Sequence, residues 1–123
     1  MTPPKPPSTT SHKRGEVLLV LFPNSDLRTS KVRPALVVQA NNLNTELPQL
    51  VVAMISSKTV RASHASRVLV SLDAFEGKQS GLLVDSVVMT DNLATLAFHA
   101  IWRVIGSLPM TNVDAALRHT LGL

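Results

Sequence analysis

The sequence predicts a mainly β fold: a small, partly open β-barrel of roughly five to seven short strands with one C-terminal helix packed against it. Three observations carry this. Short apolar runs rich in β-branched residues recur along most of the chain, separated by turns bearing Pro, Gly or Asn. The apolar period changes only at the end, where Met110, Val113, Leu117 and Leu121 fall at helical spacing. The 123 residues, 45% of them hydrophobic, suffice for one domain with a real core.

Residues 1–12 hold four prolines, several Ser and Thr and no apolar periodicity, so they read as a disordered Pro-rich tail dispensable for chemistry. The domain proper is expected over 13–123. Glu16 to Phe22 is a mostly continuous apolar run, a first strand buried on both faces and ended by Pro23. Residues 23–32 form a polar loop longer than a tight hairpin, a length that often serves function. The second strand is 34–39, followed by turn chemistry at Asn41-Asn42-Leu43-Asn44. Gln49 to Ser56 is the third strand, 57–66 a second polar loop, and Arg67 to Leu72 a fourth strand. A turn at 76–81 leads into Gly81–Thr90, one long or two short strands that Asp91–Leu96 continues. Ile101 to Leu108 is the last strand, with a bulge expected at Gly106. In the closing helix, Thr111 and Asp114 have capping-box spacing, and Gly122 is placed to cap the C-terminus.

Composition excludes several classes of function. Without cysteine there is no disulfide framework, thiolate metal site or Cys nucleophile. No apolar run is longer than the six residues Val17 to Phe22, far too short to span a bilayer, and no secretory signal opens the chain, so a cytoplasmic location is expected. No His spacing suits a metal, and no phosphate-binding loop, dinucleotide glycine fingerprint or nucleophile elbow is present. The net charge of +4 favours a polyanionic partner. Arg28, Lys31, Arg33, Lys58, Arg61 and Arg67 are six of the twelve basic residues and all lie between positions 28 and 67. Aromatics are scarce, so a nucleic-acid site would rest on charge and hydrogen bonds rather than stacking.

The stretch Lys31-Val32-Arg33-Pro34-Ala35-Leu36-Val37-Val38-Gln39 stands out. Pro34 fixes its own φ and holds Arg33 extended. That places a guanidinium at the mouth of a rigid strand, where its planar fork suits a phosphate or carboxylate. The alternative is a surface ion pair.

Four segments, in order, resemble the PemK/MazF toxins of type II toxin–antitoxin systems: Arg14-Gly15-Glu16-Val17, Arg33-Pro34-Ala35-Leu36-Val37-Val38, Ile55-Ser56-Ser57 and Gly81-Leu82-Leu83-Val84-Asp85-Ser86-Val87-Val88. Ile105-Gly106-x-Leu108 and the closing Ala-Leu-x-x-x-Leu-Gly-Leu fit the same pattern. The resemblance implies an SH3-like barrel, a homodimer, and a metal-independent endoribonuclease acting on single-stranded RNA without a cofactor. It also implies a cognate antitoxin that occupies the RNA groove. Two alternatives remain open: a non-catalytic toxin on the same barrel that binds a protein such as a topoisomerase, and an inactive remnant.

Carried over by the resemblance, the catalytic pair is Arg33 and Ser56. Arg33 would stabilise the scissile phosphate and Ser56 would donate a hydrogen bond to it; the alternative for Ser56 is a strand-end hydroxyl capping a backbone group. Asp91 matches by position an aspartate that some members use, but Met89 stands where those members have Arg, and Ala94-Thr95 replaces the commoner Arg-Thr. Leu18 and Leu21 stand where Trp and Asp are frequent. Ser57 and His64 complete the supporting candidates, His64 having a solvated loop role as its alternative. Arg28, Lys31, Lys58 and Arg61 are the candidate RNA-binding cations, and Asp85 is expected to serve a turn.

Overall fold

The computed structural model describes residues 12–23, 26 and 28–123. The expected tail over 1–12 lies, apart from His12, outside the described residues. Six strands form one antiparallel sheet: β1 (Glu16–Pro23), β2 (Ser30–Val37), β3 (Gln49–Ser56), β4 (Arg67–Val70), β5 (Ser86–Ala97) and β6 (Ile101–Ser107). Their order across the sheet is β4-β5-β3-β2-β1-β6. A short helix α1 (Phe75–Gln79) links β4 to β5, a 3₁₀ turn (Phe98–Ala100) links β5 to β6, and helix α2 (Thr111–Leu121) follows.

The central strands are apolar on both faces because both faces are covered. On one, Val17, Leu36, Ala53, Ile55 and Val88 pack with Leu108 and with Val113 and Leu117 of α2. On the other, Leu18, Val20, Ala35, Val37, Val52 and Met54 pack with Leu96 and partly buried Phe98 and Ile101. Arg14 ties the helix side together. Its guanidinium meets Asp114 at 2.5 Å and donates to the Val38 carbonyl at 3.0 Å. Asp114 is thereby taken from the expected capping box, and the N-cap position of α2 falls to Met110, with no side-chain cap. Gly122 does cap α2, in the left-handed conformation with φ 71°.

Three other expectations shift. β2 begins at Ser30, not 34, because Leu21, Val20 and Leu19 of β1 pair with Val32, Arg33 and Pro34. Arg33 therefore lies within a strand rather than at its mouth. Residues 81–85 are not strand. The carboxylate of Asp85 accepts the Leu72 N–H at 2.8 Å, the turn role expected for it, and β5 starts at Ser86. The expected turn at 76–81 holds α1 instead, packed so closely that a Cβ on Gly77 would lie 1.9 Å from the Ser71 carbonyl oxygen. The pairing of β6 with β1 shifts twice: beside Gly106, where Val17 pairs with Gly106 and Leu18 with Val104, leaving Ile105 unpaired, and at Trp102, skipped between Leu19–Arg103 and Val20–Ile101.

Candidate active site

β2 and β3 pair only at Ala35–Met54, Leu36–Ala53 and Val37–Val52, although both strands run further. β2 stays with β1 as far as Ser30, and β3 stays with β5 as far as Ser56. Pro34 has no N–H to offer a ladder, and pairing with β3 stops at its neighbour. Continued, the register would set Arg33 opposite Ser56. Instead the two strands fork there, and a groove of about 530 Å³ opens between Lys31–Pro34 on one side and Ile55–Lys58 on the other.

The far wall comes from β6 and the segment before β5. Arg103, Ile105, Gly81, Leu82, Leu83 and Val84 line it. Gly81 makes this approach possible. It has φ +74°, and a Cβ there would sit 2.0 Å from the carbonyl oxygen of Ile105. The buried Ser80 hydroxyl donates to Gly77 O at 2.5 Å and accepts the Leu82 N–H at 3.1 Å, fixing the start of this wall.

Among the described residues, four cations line the groove, Lys31, Arg33, Lys58 and Arg103, and no Asp, Glu or His does. No ion pair among the described residues takes Lys31, Lys58 or Arg103. The Ser56 hydroxyl oxygen accepts the Lys58 N–H at 3.0 Å. The backbone-capping alternative is thus present, and it is compatible with catalysis. Accepting from Lys58 orients Oγ and leaves its proton to donate to a phosphate oxygen.

Of the sequence candidates, the fork brings together Arg33, Ser56, Ser57, Lys31 and Lys58. It does not bring Asp91, His64, Arg28 or Arg61. Asp91 sits where β5 bulges out of its pairing with β3 and takes both branches of the Arg67 guanidinium, at 2.8 and 3.1 Å. Those hydrogen bonds hold its carboxyl below the usual range, the reverse of what a general base near neutral pH needs. His64 Nδ1 lies 2.7 Å from Ser66 Oγ, and its ring meets His119 of α2 edge-on. Arg28 donates its backbone N–H to the carboxylate of Asp26, whose pKa is lowered by that bond and by those from Thr29. Sequence reasoning missed Arg103. Its one signal was a lone cation in the apolar run Ile101–Ile105.

The chain matches the family described as "PemK-like, MazF-like toxin of type II toxin-antitoxin system" over residues 13–121. Comparison with curated proteins by sequence gives no match. Among solved structures, it is similar to an endoribonuclease from a mycobacterial species at 23% identity, covering 92% of this chain and 93% of that one, with a TM-score of 0.68. The Mycobacterium tuberculosis toxin MazF-mt6 is 25% identical over 86% of this chain and 97% of its own, with a TM-score of 0.61. MazF in a MazE–MazF complex from Deinococcus radiodurans shares the fold at 18% identity, covering 92% and 97%, with a TM-score of 0.66.

Proposed function

The chain belongs to the PemK-like, MazF-like toxins of type II toxin–antitoxin systems, and on that premise we propose that it is an endoribonuclease cutting single-stranded RNA at the β2–β3 fork. The observation that carries this is the convergence of Arg33 and Ser56 on one cation-lined groove that bears no carboxylate. The similar mycobacterial structures include an endoribonuclease, and one is a complex with its cognate antitoxin.

Cleavage without a metal requires the 2′-hydroxyl to attack the adjacent phosphorus while the 5′-oxygen leaves. Negative charge grows on the non-bridging oxygens, and Arg33 can meet two of them at once with its planar fork. Ser56 adds one hydroxyl donor. The contribution of the Arg33 guanidinium is electrostatic. With no His, Asp or Glu among the described lining residues, the 2′-proton leaves to solvent, its departure eased by the surrounding cations, and the departing 5′-oxygen takes a proton from solvent to become the 5′-hydroxyl. The products are a 2′,3′-cyclic phosphate and a 5′-hydroxyl, and DNA, lacking the nucleophile, resists. The aliphatic wall and exposed cations also suit an antitoxin segment that carries acidic and apolar side chains and shuts out RNA. The protein is expected to act as a homodimer in the cytoplasm; no helix among the described residues is long and apolar enough to cross a membrane.

The test is to map cleavage ends on a long RNA in the presence of a chelator. Cyclic-phosphate and 5′-hydroxyl ends from the wild type, absent with Arg33→Ala, are expected. Intact RNA with the wild type, or cleavage retained in the variant, overturns the reading. Growth arrest without RNA cleavage would favour the protein-binding alternative.

A further inference from the structure

We propose that Arg103 is a substrate-holding residue that grips a phosphate flanking the scissile one, on the side of the groove away from Lys58. This rests on the endoribonuclease reading and extends it to how the RNA lies.

The register fixes where Arg103 stands. It pairs with Leu19 of β1, and Leu19 pairs with Pro34 of β2, so the three form one row across the sheet. Two strand spacings of about 4.8 Å place β6 roughly 10 Å from β2. Ser56 and Lys58 lie on the other side of β2, at and beyond the end of β3. Arg33 is the next residue along β2 and belongs to the neighbouring row, with Val20 and Ile101; what unites Arg103, Arg33 and Lys58 is the lining of the one groove, to which they come from β6, from β2 and from beyond β3. A polyanion crossing the strand direction meets all of them in turn. Such spacing fits a chain of phosphates and exceeds what one phosphate group can engage.

Arg103 is also free to act. It is exposed, and no ion pair or hydrogen bond among the described residues occupies it. The backbone beneath it is held firmly. A Cβ on Gly106 would lie 2.4 Å from the carbonyl oxygens of Gln79 and Ser80, so β6 and the 79–84 segment are packed backbone to backbone. A long cationic side chain rooted on a firm strand in a groove wall contributes attraction and register rather than chemistry. Leu83, which is 91% exposed on the same wall, offers an apolar surface to a neighbouring base but no hydrogen bond.

The experiment uses the full chain and a single-stranded RNA spanning the mapped cleavage position, with 2′-deoxyribose at that position to prevent cutting. Affinity is measured from about 50 to 200 mM salt for the wild type, Arg103→Gln and Arg103→Lys. Arg103→Gln should weaken binding roughly tenfold. It should also lower the slope of log affinity against log salt by about 0.7, the value for one phosphate contact on a single strand. Arg103→Lys should keep the slope. On cleavable RNA, Arg103→Gln should raise KM and leave kcat unchanged. Replacing phosphates one at a time by neutral methylphosphonates should reveal one linkage, beside the scissile one, that matters to the wild type and not to Arg103→Gln.

An unchanged slope and affinity in Arg103→Gln overturns the proposal, as does a kcat loss with KM intact. Lost antitoxin affinity with unaltered RNA binding would assign the residue to the protein partner and overturn it as well. Failure of the wild type to cleave RNA removes the endoribonuclease reading and this inference together. An inactive Arg33→Ala beside a wild-type-like Arg103→Gln removes only this one.

Discussion

Two regions of the sheet carry the same residue types, cations beside hydroxyls, and treat them in opposite ways. At the β2–β3 fork, Lys31, Lys58 and Arg103 have no ion pairs among the described residues, and the Ser56 hydroxyl keeps its proton available. At the β4–β5 edge near α2, the cation and the hydroxyls answer to neighbouring groups. Arg67 is spent on Asp91, His64 lies against Ser66, and the buried Thr90 hydroxyl lies 2.6 Å from the Ser66 carbonyl and 2.7 Å from Thr120 Oγ1. Charge without a counter-charge is electrostatically costly, and a surface that keeps it is suited to a ligand that supplies it. A network that satisfies itself holds elements together and has little left for a substrate. Residue type alone does not separate these regions; partners do.

The sharpest way to break this comparison is a reciprocal pair of variants. Arg33→Ala should lower RNA cleavage by at least about 10²–10³-fold, the usual loss of one preorganised stabiliser of transition-state charge. Its melting temperature should stay near that of the wild type. Arg67→Ala should do the reverse, keeping cleavage and lowering stability. Steady-state cleavage rates set beside thermal melts decide it. If Arg67→Ala is inactive yet folded, the edge network belongs to the active site and the contrast drawn here is wrong.

Next in size is the wall that makes the groove a groove. Gly81→Ala puts a Cβ against the Ile105 carbonyl at a backbone position with φ +74°. Strain at such a site is of order 1–3 kcal/mol. Denaturant unfolding should show that loss, and because Leu82–Val84 must move off β6, RNA affinity should fall with it. Unchanged stability would mean that the wall is not braced at this point.

The core was the legible part of the fold. The continuous apolar run at Glu16–Phe22 announced a strand covered on both faces and the β-branched run at Gln49–Ser56 announced a strand, and the structure packs apolar residues on both faces of each. Boundaries set by partners were less legible. Nothing local says that Lys31 and Val32 continue a strand; the pairing with Phe22 and Leu21 does. Nor does Glu76-Gly77-Lys78-Gln79 announce a helical turn, which depends on Gly77 seating against the Ser71 carbonyl. Asp114 looked like a cap until Arg14, a hundred residues earlier, claimed it. The candidate site divides in the same way. Arg33, Ser56, Ser57, Lys31 and Lys58 flank the ends of adjacent strands and could be read as neighbours once the resemblance ordered those strands. Arg103 could not, since its place in the groove depends on β6 joining the sheet beside β1.

The smallest expected effect probes the self-satisfied region by pH. The Arg67 hydrogen bonds hold the Asp91 pKa below the ordinary carboxylate value of 3.8 in the folded protein. A folded pKa below the unfolded one means that the unfolded chain binds the proton more readily. The pair's contribution is therefore fully present above about pH 4 to 5 and is lost as pH falls through the unfolded value toward the folded one. The Asp91 side chain is 40% exposed, so solvent screening keeps the contribution under about 1 kcal/mol. Asp91→Asn should accordingly be slightly less stable than the wild type at pH 7, with the gap narrower at pH 3, below the ordinary carboxylate value of 3.8. The pKa of the Asp26 carboxyl is likewise lowered, by backbone hydrogen bonds from Arg28 and Thr29. The wild type's remaining acid sensitivity should thus survive in the variant. Urea unfolding at both pH values measures the gap. A gap that stays constant with pH would show that the Arg67–Asp91 pair does not act through charge.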